Sequence, residues 1–269
     1  MMPAIALVRG GGDLASGAAL RLHRAGLNVV VTELAKPLAV RRSVSFADAI
    51  YEGTATVEQV SGRRLDDPAD TSSILSVLAR GDIAVLVDPG CLSALTLHAD
   101  VIVDGRMRKR PPEALAHEAL LHVGLGPGFL APENCDAVIE TVRGHTLGRV
   151  IWKGHSLEDT RTPDGDARRV LRAPVRGEVQ SEAKIGEHFE AGQLIAVVGG
   201  KPILAPFGGI LRGLLRPGIV AEEGMKIGDI DARDDPRLCQ LVSEKSLAVG
   251  GGVLEAVLTR PDLRARLWA

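Results

Sequence analysis

The chain opens on a short apolar run at residues 5–8, followed at once by Gly10-Gly11-Gly12-Asp13. Apolar residues then recur at Leu14, Ala15, Ala18, Ala19 and Leu22, which is the spacing of one helix face. Gly26 stands where a helix ends, and a β-branched run over 28–32 closes with Glu33. The pattern predicts strand, glycine turn, helix, strand. It continues with a helix over 71–80 and a strand over 83–87 that ends in Asp88-Pro89-Gly90. A helical turn over 92–97 follows, then a strand over 101–103 ending in Asp104-Gly105 and a helix over 113–120. A strand over 121–123 runs into Gly124-Leu125-Gly126-Pro127-Gly128-Phe129, and further strands fall at 137–142 and 150–152. Strands alternating with helices predict a parallel sheet covered on both faces.

The pattern then changes. Residues 156–169, with Asp159, Pro163, Asp164 and Gly165, read as a linker. Beyond them lies an internal repeat at a spacing of 32 residues: Ala173-Pro174 recurs as Ala205-Pro206, Gly177 as Gly209, Gly186 as Gly218, Gly192 as Gly224 and Ile195 as Ile227. Glycine and proline fix turns, so the two copies are expected to share theirs and to pack as two facing halves of a small all-β sandwich. Helical spacing returns after about Asp235. Gly250-Gly251-Gly252 reads either as a loop before a helix starting near Val253, or as a close backbone approach to a ligand or another element.

The expected domains are therefore a Rossmann-like nucleotide-binding unit over 1–155, a β domain over 170–233 built from the two repeats, and a C-terminal helical segment over 234–269. The fold class is α/β: a Rossmann-like parallel sheet plus a small lipoyl/biotinyl-like (barrel-sandwich hybrid) domain. Lys201, in Gly199-Gly200-Lys201-Pro202 between the copies, invites comparison with the modified lysine of such carriers. It lacks their acidic or methionine neighbours, and its hairpin is short.

Composition narrows the function. Thirty-two Lys+Arg against 34 Asp+Glu leave a formal charge of −2, and there are only four Phe, two Trp and one Tyr. Neither a basic surface nor base-stacking rings point to nucleic acid. No apolar run is long enough to span a bilayer, and no signal peptide is visible. Cys91, Cys135 and Cys239 form no paired motif, so a cytoplasmic setting is expected. The seven His are scattered, and no metal ligand set is expected.

The candidate chemistry lies at the strand ends. Gly10, Gly11 and Gly12 with Asp13 and Leu14 follow a strand and open a helix, as a dinucleotide fingerprint does. Such glycines let backbone approach a pyrophosphate at the helix N-terminus. Glu33, 21 residues after Gly12, suits ribose hydroxyls. The plain alternative is a tight turn without a ligand, with Asp13 as a helix-terminal acid. Gly124, Gly126 and Gly128 form a second loop that either faces the same crevice or is a simple turn. Asp88 and Asp104 either line that crevice or cap the next helix. Arg41-Arg42 and residues 106–110 are basic clusters, read as a solvated face or as contacts to a phosphorylated ligand or an acidic partner surface. No acid–base pair, hydrolase elbow or lysine phosphate loop stands out, so catalytic residues are unknown.

Taken in order, several of these stretches resemble the YqeB family of selenium-dependent molybdenum hydroxylase maturation proteins, related to the XdhC/CoxI accessory group. They are Val8-Arg9-Gly10-Gly11-Gly12-Asp13-Leu14-Ala15-Ser16-Gly17, Glu33 with Pro37, Arg41, Arg42 and Phe46, Val87-Asp88-Pro89, Val103-Asp104, and the loop from Gly124 to Phe129. Val138-Ile139-Glu140-Thr141 with Arg143-Gly144-His145, Leu147-Gly148-Arg149-Val150, Ile227-Gly228-Asp229-Ile230-Asp231 and Gly250-Gly251-Gly252-Val253-Leu254-Glu255-Ala256 complete the set. The resemblance implies an accessory protein that handles NAD(P) or a molybdopterin dinucleotide and docks a molybdenum hydroxylase apoenzyme, with a homo-oligomer also admitted. The alternative reading is an NAD(P)-dependent oxidoreductase.

Overall fold

The computed structural model describes residues 3–158 and 165–267; positions 159–164 of the expected linker lie outside the described residues. Strands β1 (Ile5–Arg9), β2 (Asn28–Glu33), β3 (Thr54–Val57), β4 (Val60–Leu65), β5 (Ile83–Val87), β6 (Val101–Asp104), β7 (Leu121–Leu125), β8 (Ala137–Ile139) and β9 (Val150–Ile151) form one sheet. Their order is β3-β4-β5-β2-β1-β6-β7-β8-β9. Pairing is parallel from β4 through β8, whereas β3 and β9 are antiparallel edge strands.

Both faces are buried. Ala6, Val8, Val29 and Val31 point to one face, beneath α1 (Asp13–Arg24), and α2 (Ala49–Glu52) adds Ala49 and Ile50 to that core. Ile5, Leu7, Val30 and Leu86 point to the other face, against α3 (Thr71–Ala79) and α4 (Ser93–Thr96). This period-two alternation, apolar on both sides, is what a covered parallel sheet requires.

Eight short strands follow: β10 (Val170–Arg172), β11 (Gly177–Gln180), β12 (His188–Phe189), β13 (Leu194–Val198), β14 (Lys201–Leu204), β15 (Gly209–Leu214), β16 (Val220–Ala221) and β17 (Lys226–Asp231). The first four recur as the last four at the 32-residue spacing read from the glycines. The paired turns match: Gly186 and Gly218 have φ of 99° and 87°, and Gly192 and Gly224 have φ of 84° and 76°. The strands sort into two four-stranded antiparallel sheets, β10-β17-β15-β12 and β14-β13-β11-β16. Each sheet takes two strands from each copy, and Val179, Ile195, Leu211 and Ile227 share one core. The unit docks on the large sheet through the Leu214 amide, which donates to the Val40 carbonyl at 2.9 Å. Arg42 Nε donates to the Leu214 carbonyl at 2.8 Å.

The chain ends in α5 (Glu244–Leu258) and α6 (Pro261–Arg264). Helix α5 runs through all three glycines, so the close-approach reading holds and the loop reading does not. A Cβ on Gly250 would lie 2.6 Å from the Gly17 carbonyl oxygen of α1, and one on Gly252 would lie 2.1 Å from that of Gly148.

These findings correct the expected fold class of a Rossmann-like parallel sheet plus a lipoyl/biotinyl-like sandwich. The large sheet is mixed, with an antiparallel strand on each edge. No helix links β6 to β7 or β7 to β8, and the helix expected over 113–120 is absent. Instead α5 covers that side, adding Val249, Val253 and Val257 to the same core as α1. The two repeat copies do not face each other as halves, because each antiparallel sheet mixes strands of both.

Candidate functional site

The carboxyl ends of β1, β2, β5 and β6 meet at one crevice, a cavity of about 500 Å³. Such a position, where the chain leaves β1 for neighbours on opposite sides, is where open parallel sheets hold ligands. Gly10, Gly12, Asp13, Leu14, Glu33 and Asp88 all line it. Six of the residues singled out in the sequence are thus brought together.

The three leading glycines do different work. Gly10 turns the chain at φ 87°, a backbone region that side chains rarely adopt. A Cβ on Gly11 would sit 2.7 Å from the Ala47 nitrogen and 2.9 Å from Val31 Cγ1, so its role is packing. A Cβ on Gly12 would meet nothing within 4 Å. Gly12 is the N-cap of α1 at φ −70° and ψ 179°, and no side chain caps the helix there. The first N–H groups of a helix have no intrahelical partner, and the residues that begin α1, Gly12, Asp13 and Leu14, line the crevice.

Glu33 ends β2 with both oxygens engaged: Oε1 accepts from the Gly11 amide at 2.8 Å and Oε2 from the Leu34 amide at 2.7 Å. Burial raises its carboxyl above the ordinary range, and these two backbone bonds work against that rise. Each oxygen keeps a second lone pair for a ligand hydroxyl. Leu34 and Leu38, both about half exposed, form an apolar shelf beside it. Asp88 accepts from the Leu92 and Ser93 amides at 3.0 and 2.8 Å, which is the helix-capping fate read as its alternative.

The crevice floor is an ion cluster. Arg9, only 2% exposed, donates to Asp104 Oδ2 at 3.3 Å and to Glu113 Oε1 at 2.9 Å. Arg106 bonds both of the same acids. The Arg106 hydrogen bond leads in holding Glu113 down at about 2. Cys91, at φ 59° behind Asp88, is a buried thiol pushed up to about 12 by burial, which leaves it protonated rather than nucleophilic.

Gly124, Gly126 and Gly128 do not line the crevice. A Cβ on Gly124 would overlap the Phe129 ring at 2.1 Å, one on Gly128 would strike the Arg110 carbonyl oxygen at 2.5 Å, and Gly126 has φ 97°. Their neighbour Pro127 lines a second cavity of about 620 Å³, which shares Asp13, Leu14 and Met107 with the first. Asp13 stands at the junction, accepting from Arg41 at 3.0 Å and from the Ser246 hydroxyl at 2.6 Å. Across the second cavity stand Arg212, Lys226 and Asp229 of the repeat unit; the sequence reading passed over Arg212 and Lys226 and took Asp229 only as part of the resemblance. The signal that finds them is the alignment of the two copies, where they replace Gln180, Leu194 and Val197. Lys201 opens β14 and is exposed. Among the described residues, no group of three or more His, Cys, Asp or Glu is arranged to hold a metal ion, and no helix is long and apolar enough to cross a membrane.

No family model matches the chain. The chain is similar to the Escherichia coli (strain K12) protein YqeB, itself uncharacterized, at 42% identity over 258 residues. That match covers 94% of this chain and 47% of YqeB, so the chain spans about half the length of the curated relative it matches. The YqeB resemblance is therefore supported along nearly the whole chain. Among solved structures, an aspartoacylase family protein from Mesorhizobium loti is similar at 14% identity and a TM-score of 0.27, covering 86% of this chain and 85% of that one. A succinylglutamate desuccinylase/aspartoacylase from Rhodobacter sphaeroides has 13% identity and a TM-score of 0.25, covering 85% and 86%. YqeB, being uncharacterized, supplies neither a molybdenum hydroxylase maturation role nor an oxidoreductase activity, and both expected functions, with their molybdenum, selenium and nicotinamide associations, are withdrawn. At such TM-scores the neighbours lend this chain no activity of their own.

Proposed function

We propose that the chain is a small-molecule-binding protein whose crevice takes a phosphorylated nucleoside. The observation that carries this reading is Gly12: an uncapped N-terminus of a 12-residue helix with open space where a side chain would be. A phosphate there accepts the free backbone N–H groups and meets the positive end of the helix dipole. Glu33 supplies a carboxylate for a sugar diol, and Leu34 and Leu38 supply an apolar face for a base. The dinucleotides expected from the glycine spacing belong to this chemical class and enter the test only as probes.

Isothermal titration calorimetry of the wild type and Glu33→Gln with ADP and ADP-ribose tests the reading. Losing a charged acceptor for hydroxyl groups costs about 1.5–3 kcal/mol, or roughly ten- to a hundredfold in affinity. Equal affinity of the two proteins, or no binding by the wild type, contradicts the assignment.

A further inference from the structure

The second cavity lies between the large sheet, helix α5 and the repeat unit. Among the described residues that line it, seven are Lys or Arg and two are Asp, in a chain whose formal charge is −2. The cations arrive from segments far apart in sequence: Arg41 from beyond β2, Arg212 and Lys226 from β15 and β17, and Lys245 from α5. Several are held in place. Asp13 fixes Arg41, whose other nitrogen donates to the Leu238 and Leu241 carbonyls at 3.3 and 3.1 Å. Asp229, fully buried, accepts from both Arg169 and Arg212, with the Lys226 ammonium 4.0 Å away. Guanidinium groups already oriented in this way lose little freedom when an anion arrives.

The repeat supplies an independent argument. At the 32-residue spacing, Arg212, Lys226 and Asp229 correspond to Gln180, Leu194 and Val197. The same three positions of the first copy line another pocket, of about 610 Å³, among whose described lining residues there is no Lys or Arg. The backbone of the unit therefore forms without these charges, and they occur only in the second copy, whose Leu214 bonds Val40 and Arg42. Arg169 is the exception, since its counterpart Lys201 is also basic. Burial lowers the Lys226 ammonium below the ordinary lysine range, Asp229 works against this, and Arg169 and Arg212 add to it. An anion in the cleft relieves the repulsion among the three.

We propose that this cleft is an anion site of its own, which takes a compact oligophosphate of two or three phosphate groups. The chemistry is shared by inorganic tripolyphosphate and by the phosphate chain of a nucleoside triphosphate. The test is calorimetric titration of the full chain with tripolyphosphate and, separately, with ATP, at low and high salt. The variants are R212Q/K226L/D229V, which installs the first copy's residues on a matching backbone, and Lys226→Gln, which keeps the buried Asp229 pairs. Tripolyphosphate is expected to bind the wild type, to weaken as salt rises, and to bind the triple variant at least tenfold and Lys226→Gln severalfold more weakly. Equal binding by the wild type and both variants overturns the proposal. Binding of ATP without tripolyphosphate puts the anion in the crevice and also overturns the cleft as a separate site.

Discussion

Gly11 and Gly12 are chain neighbours for which the structure predicts opposite consequences of adding a methyl group. In Gly11→Ala the new Cβ must push against the Ala47 nitrogen and Val31 Cγ1, at 2.7 and 2.9 Å. The Ala47 amide is itself held by a 3.0 Å bond to the Gly11 carbonyl, so the obstruction is backbone that cannot swing aside. Overpacking of this kind costs about 1–3 kcal/mol. At roughly 2–4 °C per kcal/mol for large domains, Tm falls by roughly 2–12 °C. In Gly12→Ala the Cβ enters open space from an extended backbone. Alanine is a poorer N-cap than glycine by about 0.5–1 kcal/mol, and the lower entropy of its unfolded chain offsets that loss by about 0.4–1 kcal/mol. The net change is within about 0.5 kcal/mol. Differential scanning calorimetry and urea unfolding on both variants measure the contrast. Equal stabilities, or a larger loss for Gly12→Ala, refute the division of these glycines into packing and binding roles.

Three further outcomes follow from the same geometry. Asp104→Asn removes the buried carboxylate that Arg9 and Arg106 share, leaving Arg9 only the Glu113 carboxylate, and is expected to cost about 1.5–3 kcal/mol in urea unfolding; a loss below 1 kcal/mol contradicts the cluster's role. Gly252→Ala drives a Cβ to within 2.1 Å of the Gly148 carbonyl oxygen and should lower Tm by several degrees, while Gly251→Ala, which meets nothing within 4 Å, should not. Glu113 is held at about 2 against an ordinary 4.5, so its stabilising pairs are fully present above pH 4.5 and are lost as pH falls toward 2. The stability gap between wild type and Glu113→Gln should therefore close over that window, and a gap independent of pH contradicts the pairing.

The parts of the fold that were legible depend on local chemistry. The apolar run of β1, the glycine turn and the α1 spacing each follow from neighbouring residues, and all appear where expected. The 32-residue repeat was legible because glycine and proline mark turns by backbone restriction alone. Its assembly was not, since nothing local says which copy pairs with which. The β3–β4 hairpin escaped notice because its turn is Glu58-Gln59, at φ 43° and 74°. Such turns usually announce themselves with Asn or Gly. Residues 113–120 have helical spacing, yet Glu113 is drawn to Arg9 and Arg106, His117 bonds the Ala99 carbonyl at 2.8 Å, and Leu115 and Ala119 pack on the core beside α4. Tertiary contacts there override the local preference.

The site was legible to the same extent. Gly10, Gly12, Glu33 and Asp88 converge because strand ends in a parallel sheet share one edge. The cleft beyond them was not foreseen, because its walls come from residues near 41, 226 and 245. Arg41 and Lys109 stood out only as members of basic clusters; distance in sequence hid their partners, and the comparison of the two copies exposes three of them.

The most direct test of the crevice assignment is native mass spectrometry of the wild type and Gly12→Asp with AMP, ADP, ADP-ribose, NAD, NADP and molybdopterin cytosine dinucleotide. The variant's side chain enters open space, so the protein should stay folded while a carboxylate occupies the phosphate position. The account predicts that the wild type retains at least one of these phosphorylated nucleosides and that folded Gly12→Asp retains none. Retention of the same ligands at the same level by both proteins, or of none by the wild type, contradicts it.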